Sequence, residues 1–379
     1  MAPETALLAG STDADVGEAP KYFALLFVSF DNDRLRLYRP EFRQPGEAAM
    51  VGDLPTYSVV VEMENAKSID WDEIGVGLTV LADEIASVSA AGFASPKVII
   101  SHAGHDADAQ SLRDHINREA PQLKEVSELR FAACPGGRYY ELKNNGILAA
   151  ETDVVVFMDS DTVPESDWLS ILLGPFRNPG TVCVNGYTYL FYDDFSSRTF
   201  ALIWFFPMAQ GDKKFAAKRA INANNVAFRR DWIAGHPFPQ NNGFKVSCTL
   251  LMHQLRREGH EIVHAGARVY HYPPRGWRFF CWRALVTGRD ADRKFVALHA
   301  PSRSQRIVKS LSRWGTMSWR TTRRVLSHAP QTGMPLWQIP FSLAVGLAFY
   351  TLAFLGHFSL AAGLVSDEIE TMPDYVGHS

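Results

Sequence analysis

Thr152-Asp153-Val154-Val155-Val156-Phe157-Met158-Asp159-Ser160-Asp161 is the stretch that decides how this chain is read. Val154 to Met158 is an unbroken apolar run, β-branched at first, which describes a strand buried on both faces, as at the centre of a parallel sheet. It stops abruptly at two carboxylates one residue apart. Charge beside a buried strand is costly unless it is compensated, and a divalent cation is the natural compensation. Magnesium takes one or two protein carboxylates and fills its remaining positions with water and substrate phosphates. A metal there neutralises a departing diphosphate. A D-x-D in a surface turn implies none of this. The preceding strand, together with Thr162-Val163-Pro164 and the helical stretch beyond it, gives this one its weight.

Outward from that strand, the chain alternates short β-branched runs with longer helical stretches. Strands are expected at Tyr57–Val61, Lys97–Ser101, Leu129–Ala133, Asp153–Met158 and Thr181–Tyr187, and helices at 71–90, 107–118, 137–150 and 165–176. This alternation predicts an α/β fold with a Rossmann-like, mostly parallel sheet flanked by helices. Ligands of such sheets sit outside the carboxyl ends of the strands. The positions to watch are therefore Glu62 and Glu64, Ser101 and His102, and above all Asp159 and Asp161.

The bulk properties exclude several classes. A chain of 379 residues, 46% apolar and 21% charged, is globular rather than disordered. Its net charge of −3 argues against a nucleic-acid binder. Four scattered cysteines (Cys134, Cys183, Cys248, Cys281) form no CxxC and fit reduced thiols in a cytosolic domain. Residues 1–20 are small and acidic, and the apolar run Tyr22–Phe30 lacks the basic flank of a secretory signal. With the turn Asp31-Asn32-Asp33 and Leu35–Tyr38, it reads as a β-hairpin.

Near the other end, Phe341 to Val365 holds no Asp, Glu, Lys or Arg, long enough for a transmembrane helix. Residues 301–330 carry Arg303, Arg306, Lys309, Arg313, Arg320, Arg323 and Arg324 and no acid, whereas 366–379 carry Asp367, Glu368, Glu370 and Asp374 and no base. The positive-inside bias places the large amino-terminal part at the cytoplasmic face and the carboxyl terminus outside. Ile307, Leu311, Trp314, Ser318, Thr322 and Val325 recur at helical spacing. A basic helix here either lies along an anionic membrane surface or packs, solvated, on the domain.

Glu141-Leu142-Lys143-Asn144-Asn145-Gly146-Ile147-Leu148-Ala149-Ala150, followed by Thr152–Asp161, resembles glycosyltransferase family 2. In that family a helix bearing a basic residue and Asn precedes the strand and the D-x-D. Asn224-Asn225-Val226-Ala227-Phe228-Arg229-Arg230 is similar to its N-x-A-F-R-R turn, and Leu251–Gly259 with Ile262–His271 is similar to its helix–strand ending in His. The similarity spans about residues 56–290. It implies a GT-A fold and inverting transfer from a nucleoside diphosphate sugar with Mg2+ or Mn2+. It puts Asp159 near ribose and metal, Asp161 on the metal, Lys143 and Asn144 by the donor, and His271 either on the metal or in a structural role. A Lys ammonium is a good point charge for phosphate, although a solvated helix Lys reads equally well.

Two departures stand out. Where the family has D-D-G-S, this chain has Ser101-His102-Ala103-Gly104, leaving Glu62 or Glu64 to reach base or ribose, unless both simply face solvent. Where it has Glu-Asp before the Leu-x-x-x-Leu helix, with Asp as base, this chain has Ser247-Cys248. A general base typically contributes 10²- to 10⁴-fold, and a thiol replaces it only with a depressed pKa. Three explanations compete: an acceptor already anionic, such as a polyprenyl phosphate; another carboxylate, Asp193 or Asp194; or a binding protein that has lost catalysis. Arg278-Phe279-Phe280-Cys281-Trp282 echoes an acceptor motif, with Arg283 beside it, and Tyr187–Phe206 suits either a lipid-facing groove or plain core.

The expected map is an acidic tail at 1–20, a hairpin-like extension at 21–54, a GT-A domain at 55–292, a basic interfacial region at 293–333, a transmembrane helix at 334–366 and an acidic tail at 367–379. The expected partners are a nucleotide-sugar donor, a lipid-linked or glycan acceptor and the membrane. A nucleotidyltransferase would show a Gly-rich loop after its first strand, where this chain has Glu62-Met63-Glu64-Asn65.

Overall fold

The computed structural model describes residues 54–375 apart from 205, 207, 208, 210–220, 241, 242, 274, 369, 371 and 374. The expected acidic segment 1–20 and the hairpin at 21–54, up to residue 53, lie outside the described residues.

β1 (Tyr57–Glu62) and β4 (Val154–Asp159) are buried at every position. They pair in parallel along their full length. β2 (Lys97–His102) and β3 (Glu128–Ala133) extend the parallel half. These four match the strands expected from sequence to within a residue or two, because β1, β2 and β4 are contiguous β-branched runs and β3 is a short, mostly apolar run between turns. Beyond β4 the sheet changes character. β7 (Asn225–Arg229) runs antiparallel between β4 and β6 (Cys183–Leu190). β6 pairs in parallel with β8 (Ile262–His271), and the short β5 (Thr162–Pro164) closes the edge antiparallel to β8. Among the described residues the sheet has eight strands in the order β3-β2-β1-β4-β7-β6-β8-β5. Asn225–Arg229 is thus a central strand and not a turn. Val226, Ala227 and Phe228 are wholly buried, and partner strands on both sides satisfy their backbone.

α1 (Trp71–Ala90) opens on a capping box between Asp70 and Glu73. With α5 (Trp168–Leu173) it covers one face of the sheet over a core that includes Val59, Val156 and Trp168. α4 (Tyr139–Ala149) and α8 (Gly243–Arg257) cover the other, over Val60, Phe157 and Phe228. α2 (Ala109–Glu119), α3 (Leu123–Val126), α6 (Phe195–Ile203) and α7 (Arg230–Gly235) complete this part. Gly146 lets α4 approach β1 closely, since a Cβ there would run into the Val60 side chain.

The chain ends in α9 (Trp277–His299), α10 (Arg303–His328) and α11 (Ile339–Ala361). The segment Leu336–Ala361 is long and apolar enough to cross a membrane, at mean hydropathy 1.8, and a third of that window is buried in the protein. Three expectations can be compared with the structure here. First, α10 turns Ser310, Met317, Thr321, Arg324 and Val325 inward, leaving Leu311 and Trp314 of the expected stripe exposed. Its inward face mixes small polar residues with Met317 and Val325 of an apolar cluster, and Thr321 meets Gly346 of α11. Second, the described part of the acidic tail folds back on the sheet-bearing body. Arg293 binds Asp367 and Glu370, the Met372 N–H donates to Glu64 and the Tyr375 N–H to the Lys67 carbonyl. Third, of the two readings left open for Tyr187–Phe206, plain core holds for Phe200, Trp204 and Phe206, which pack with Phe280 and Phe349.

Candidate active site

The carboxyl ends of β1, β4 and β8 bring five polar side chains together. Glu62 and Asp159 are cross-strand partners, and Asp161 follows at the turn into β5. All three are buried, at 0%, 2% and 3% exposed. Lys143, on α4 and wholly buried, forms an ion pair with Asp159 Oδ1. Its ammonium also lies 4.6 Å from the centre of the Tyr139 ring. The Tyr139 hydroxyl donates to Asp159 Oδ2 at 2.8 Å, and Asn65 Nδ2 donates to the same oxygen at 3.1 Å. Asn65 also reaches Asp161 Oδ1 at 3.3 Å, so one amide bridges the two aspartates. Sequence reasoning missed both Asn65 and Tyr139. Asn65 stood in the quoted Glu62-Met63-Glu64-Asn65 without a role, and Tyr139 opens the helix that carries Lys143.

Asp161 Oδ2 faces His271 Nε2 at 3.0 Å, and His271 Nδ1 lies 2.6 Å from the Tyr272 carbonyl. The backbone carbonyl orients the ring so that Nε2 points at the carboxylate. Burial pulls the imidazole pKa down, but the Asp161 charge and hydrogen bond outweigh it, with a net rise. Burial pushes the Asp159 carboxyl up, with Lys143 opposing. Glu62 is pushed well above the carboxylate range by burial, and the neighbouring Asp159 charge adds to this. Its Oε1 accepts from the Glu64 and Asn65 amides, while Oε2 is buried without a partner.

Other expected site residues are placed differently. Lys143 is spent on Asp159 inside the protein, so it is not a solvent-facing phosphate ligand. The Asn144 side chain exchanges two hydrogen bonds with the Phe238 backbone and pins that loop instead of facing a donor. Glu64 accepts from the Tyr139 N–H at 2.6 Å, placing a carboxylate at the amino end of α4, where the helix dipole favours it. Burial raises the Glu64 pKa, against the Lys67 charge and the Met372 N–H.

Cys248 sits on α8 with its sulfur 3.2 Å from the Tyr140 hydroxyl. Burial pushes the thiol up, with the Tyr140 hydroxyl opposing. A thiol held protonated is no general base, so the geometry does not support that role. Asp194 is used as the amino cap of α6, accepting from Ser197 N at 2.7 Å, and both Asp193 and Asp194 are exposed. Arg283 does lie on the site side of α9. Burial lowers its pKa, and the charge of Asp290 is the main opposing influence. Asp290, buried and 3.4 Å from Arg293, went unnoticed in the sequence because it falls mid-helix.

Residues 106–234 match the model of glycosyl transferase family 2, a stretch that contains Lys143, Asp159 and Asp161 but not Glu62, Cys248 or His271. No curated protein matches the chain. Among solved structures, the chain is similar to the mannosyltransferase PcManGT from Pyrobaculum calidifontis in complex with GDP-Man and Mn2+. The identity is 14% over 85% of this chain and 90% of that one, with a TM-score of 0.44. It is similar to glucosyl-3-phosphoglycerate synthase from Mycobacterium tuberculosis in complex with Mg2+ and uridine-diphosphate, at 17% identity over 67% and 84%, TM-score 0.43. Its likeness to GalNAc-T7 with UDP, GalNAc and Mn2+ is 12% identical with a TM-score of 0.42, covering 65% of this chain and 51% of that one. The chain thus spans about half the length of that structure. With TM-scores below 0.5, these remain likenesses, and the reading of the site rests on its own residues.

Proposed function

We propose that this chain, whose residues 106–234 match the glycosyl transferase family 2 model, moves a sugar from a nucleoside diphosphate sugar to a membrane-associated lipid or glycan acceptor. The observation that carries the reading is the Asp161–His271 pair at 3.0 Å, at the carboxyl end of a buried central strand. One carboxylate and one imidazole fit Mg2+ or Mn2+, which leave most of their positions to water and phosphates. Among the described residues no group of three or more His, Cys, Asp and Glu gathers as a closed metal cage, in keeping with a cation shared with a substrate. Asp161 and His271 would hold the metal, which when bound supplies Lewis-acid help to the departing diphosphate.

The chain's own residues supply position. Asn65 fixes Asp161 relative to Asp159, and Lys143 with Tyr139 keeps Asp159 oriented in a dry site. Transfer with inversion needs an acceptor oxygen that is already a nucleophile or a base that makes it one. Cys248 is held protonated and Asp194 caps a helix, which favours an acceptor that arrives anionic, such as a lipid phosphate. The engagement of Cys248 and Asp194 elsewhere also suits a second reading, a donor-binding scaffold with weakened catalysis.

The test is nucleoside diphosphate release by the full chain with Mn2+ and a panel of nucleotide sugars, with and without polyprenyl phosphate, and with Asp161→Asn in parallel. Release with one donor, dependent on the lipid phosphate and lost in the variant, supports transfer. Metal-dependent donor binding without release under any acceptor supports the scaffold. No metal-dependent binding at all refutes the proposed site.

A further inference from the structure

α10 runs antiparallel to α11 along most of its length. Arg303 donates to the Ala362 carbonyl, Trp314 Nε1 lies 3.3 Å from Thr351 Oγ1, and the Thr321 methyl fills the space left by Gly346. α9 packs along the carboxyl half of α11, with Gly288 against the Ala353 carbonyl and Gly356 against that of Leu285. If α11 crossed a bilayer in this packing, α10 and α9 would be drawn in with it. Lys309, Arg320 and Arg323 are exposed on α10, and each is costly to place at the centre of a membrane. Asp292, paired with Arg306 and facing His357 of α11, would enter too. The tail beyond α11 returns to Arg293 and Glu64 on the catalytic body.

The same hairpin leaves an apolar face uncovered. Antiparallel pairing sets exposed Leu311 and Trp314 alongside exposed Leu347 and Leu355, while Trp319 is 67% and Phe341 59% exposed. Residues 301–330 contain seven Lys and Arg and no acid. An apolar face bordered by Trp and by exposed bases has the chemistry of an anionic lipid interface.

We infer that the α10–α11 hairpin lies in the headgroup region of one anionic leaflet, so that the chain docks on the membrane without crossing it. The occupant is a lipid surface, and the inference does not draw on the donor chemistry of Asp161.

The test is flotation of the purified full chain with phosphatidylcholine vesicles, with and without phosphatidylglycerol. The expected result is binding about tenfold tighter to the anionic vesicles and weakened by salt. Leu311→Glu with Trp319→Glu, both on the surface, lowers binding by a similar factor while circular dichroism and metal-dependent binding of the soluble donor stay unchanged. Protease treatment of sealed vesicles followed by mass spectrometry removes the peptide 362–375 together with the catalytic domain. Overturning results are no lipid binding, unchanged binding by the double variant, protection of that peptide, or a solution dimer that the same substitutions dissolve.

Discussion

Glu62 and Asp159 stand opposite each other at the carboxyl ends of β1 and β4, two buried carboxylates served by the single ammonium of Lys143. Coulomb repulsion between them in a dry setting is relieved in two ways. Lys143 opposes the rise that burial imposes on the Asp159 pKa, and burial with the Asp159 charge pushes the Glu62 carboxyl well above its usual range. Removing one partner of a buried pair typically costs 3–5 kcal/mol. Lys143→Met is therefore expected to lower denaturant stability by about that much, and adding Asp159→Asn to recover part of it. A double-mutant cycle checks this, and strict additivity of the two substitutions would refute the coupling.

Gly146 is expected to tolerate no side chain. Gly146→Val drives α4 off Val60 and lowers stability by about 1–3 kcal/mol. It also carries Lys143 away from Asp159, so metal-dependent donor binding falls in parallel. Chemical denaturation and a binding isotherm on the same preparation test both halves.

In the proposed site, His271 would support the metal through a ring held by the Tyr272 carbonyl. Chelation with EDTA is expected to abolish nucleoside diphosphate release, and Mn2+ to restore it. His271→Gln raises the Mn2+ concentration needed by about 10- to 100-fold, the usual range for losing a metal contact or its support. An unchanged Mn2+ titration would remove His271 from the site.

Cys248→Ala is expected to leave turnover within about tenfold of the parent, well inside the effect of a lost general base. The burial that pushes the thiol up is the reason. A loss of a thousandfold would restore the thiol as the base.

The start of α4 carries an acid-sensitive clamp. Arg138 binds Glu141 through Nη2 at 2.6 Å and its backbone N–H at 2.9 Å, and these bonds hold the Glu141 carboxyl below its usual range. A depressed folded-state pKa means the stabilisation is complete above the unfolded value, about 4.3. It is lost as pH falls through the folded value. Hydrogen exchange of residues 139–142 is expected to rise below about pH 4, and Glu141→Gln to show the faster exchange already at neutral pH.

What the sequence disclosed was what local pattern carries. β4 was legible because five apolar residues in a row admit little else, and α1 because its capping residues and periodicity coincide. β7 looked like a turn because its burial depends on β6 and β4, strands distant in sequence. Lys143 looked like a donor ligand because a Lys on a helix ordinarily reaches water; it is buried only because Asp159 arrives from another element. Asn65 matters through contacts 94 and 96 positions away, a distance that periodicity does not report. The basic character of α10 was plain, but its inward face depended on the small residues of α11.

Met372 donates to Glu64, the same carboxylate that receives the first amide of α4. The far end of the polypeptide is thereby stitched to the helix that holds Lys143. Whatever grips the segment around Met372, whether an affinity handle or an antibody, pulls on the start of that helix some three hundred positions earlier in the chain. Under the proposed function, a tag placed near this segment would perturb the site mechanically, and a loss of activity in such a preparation would report on that thread before it reports on chemistry.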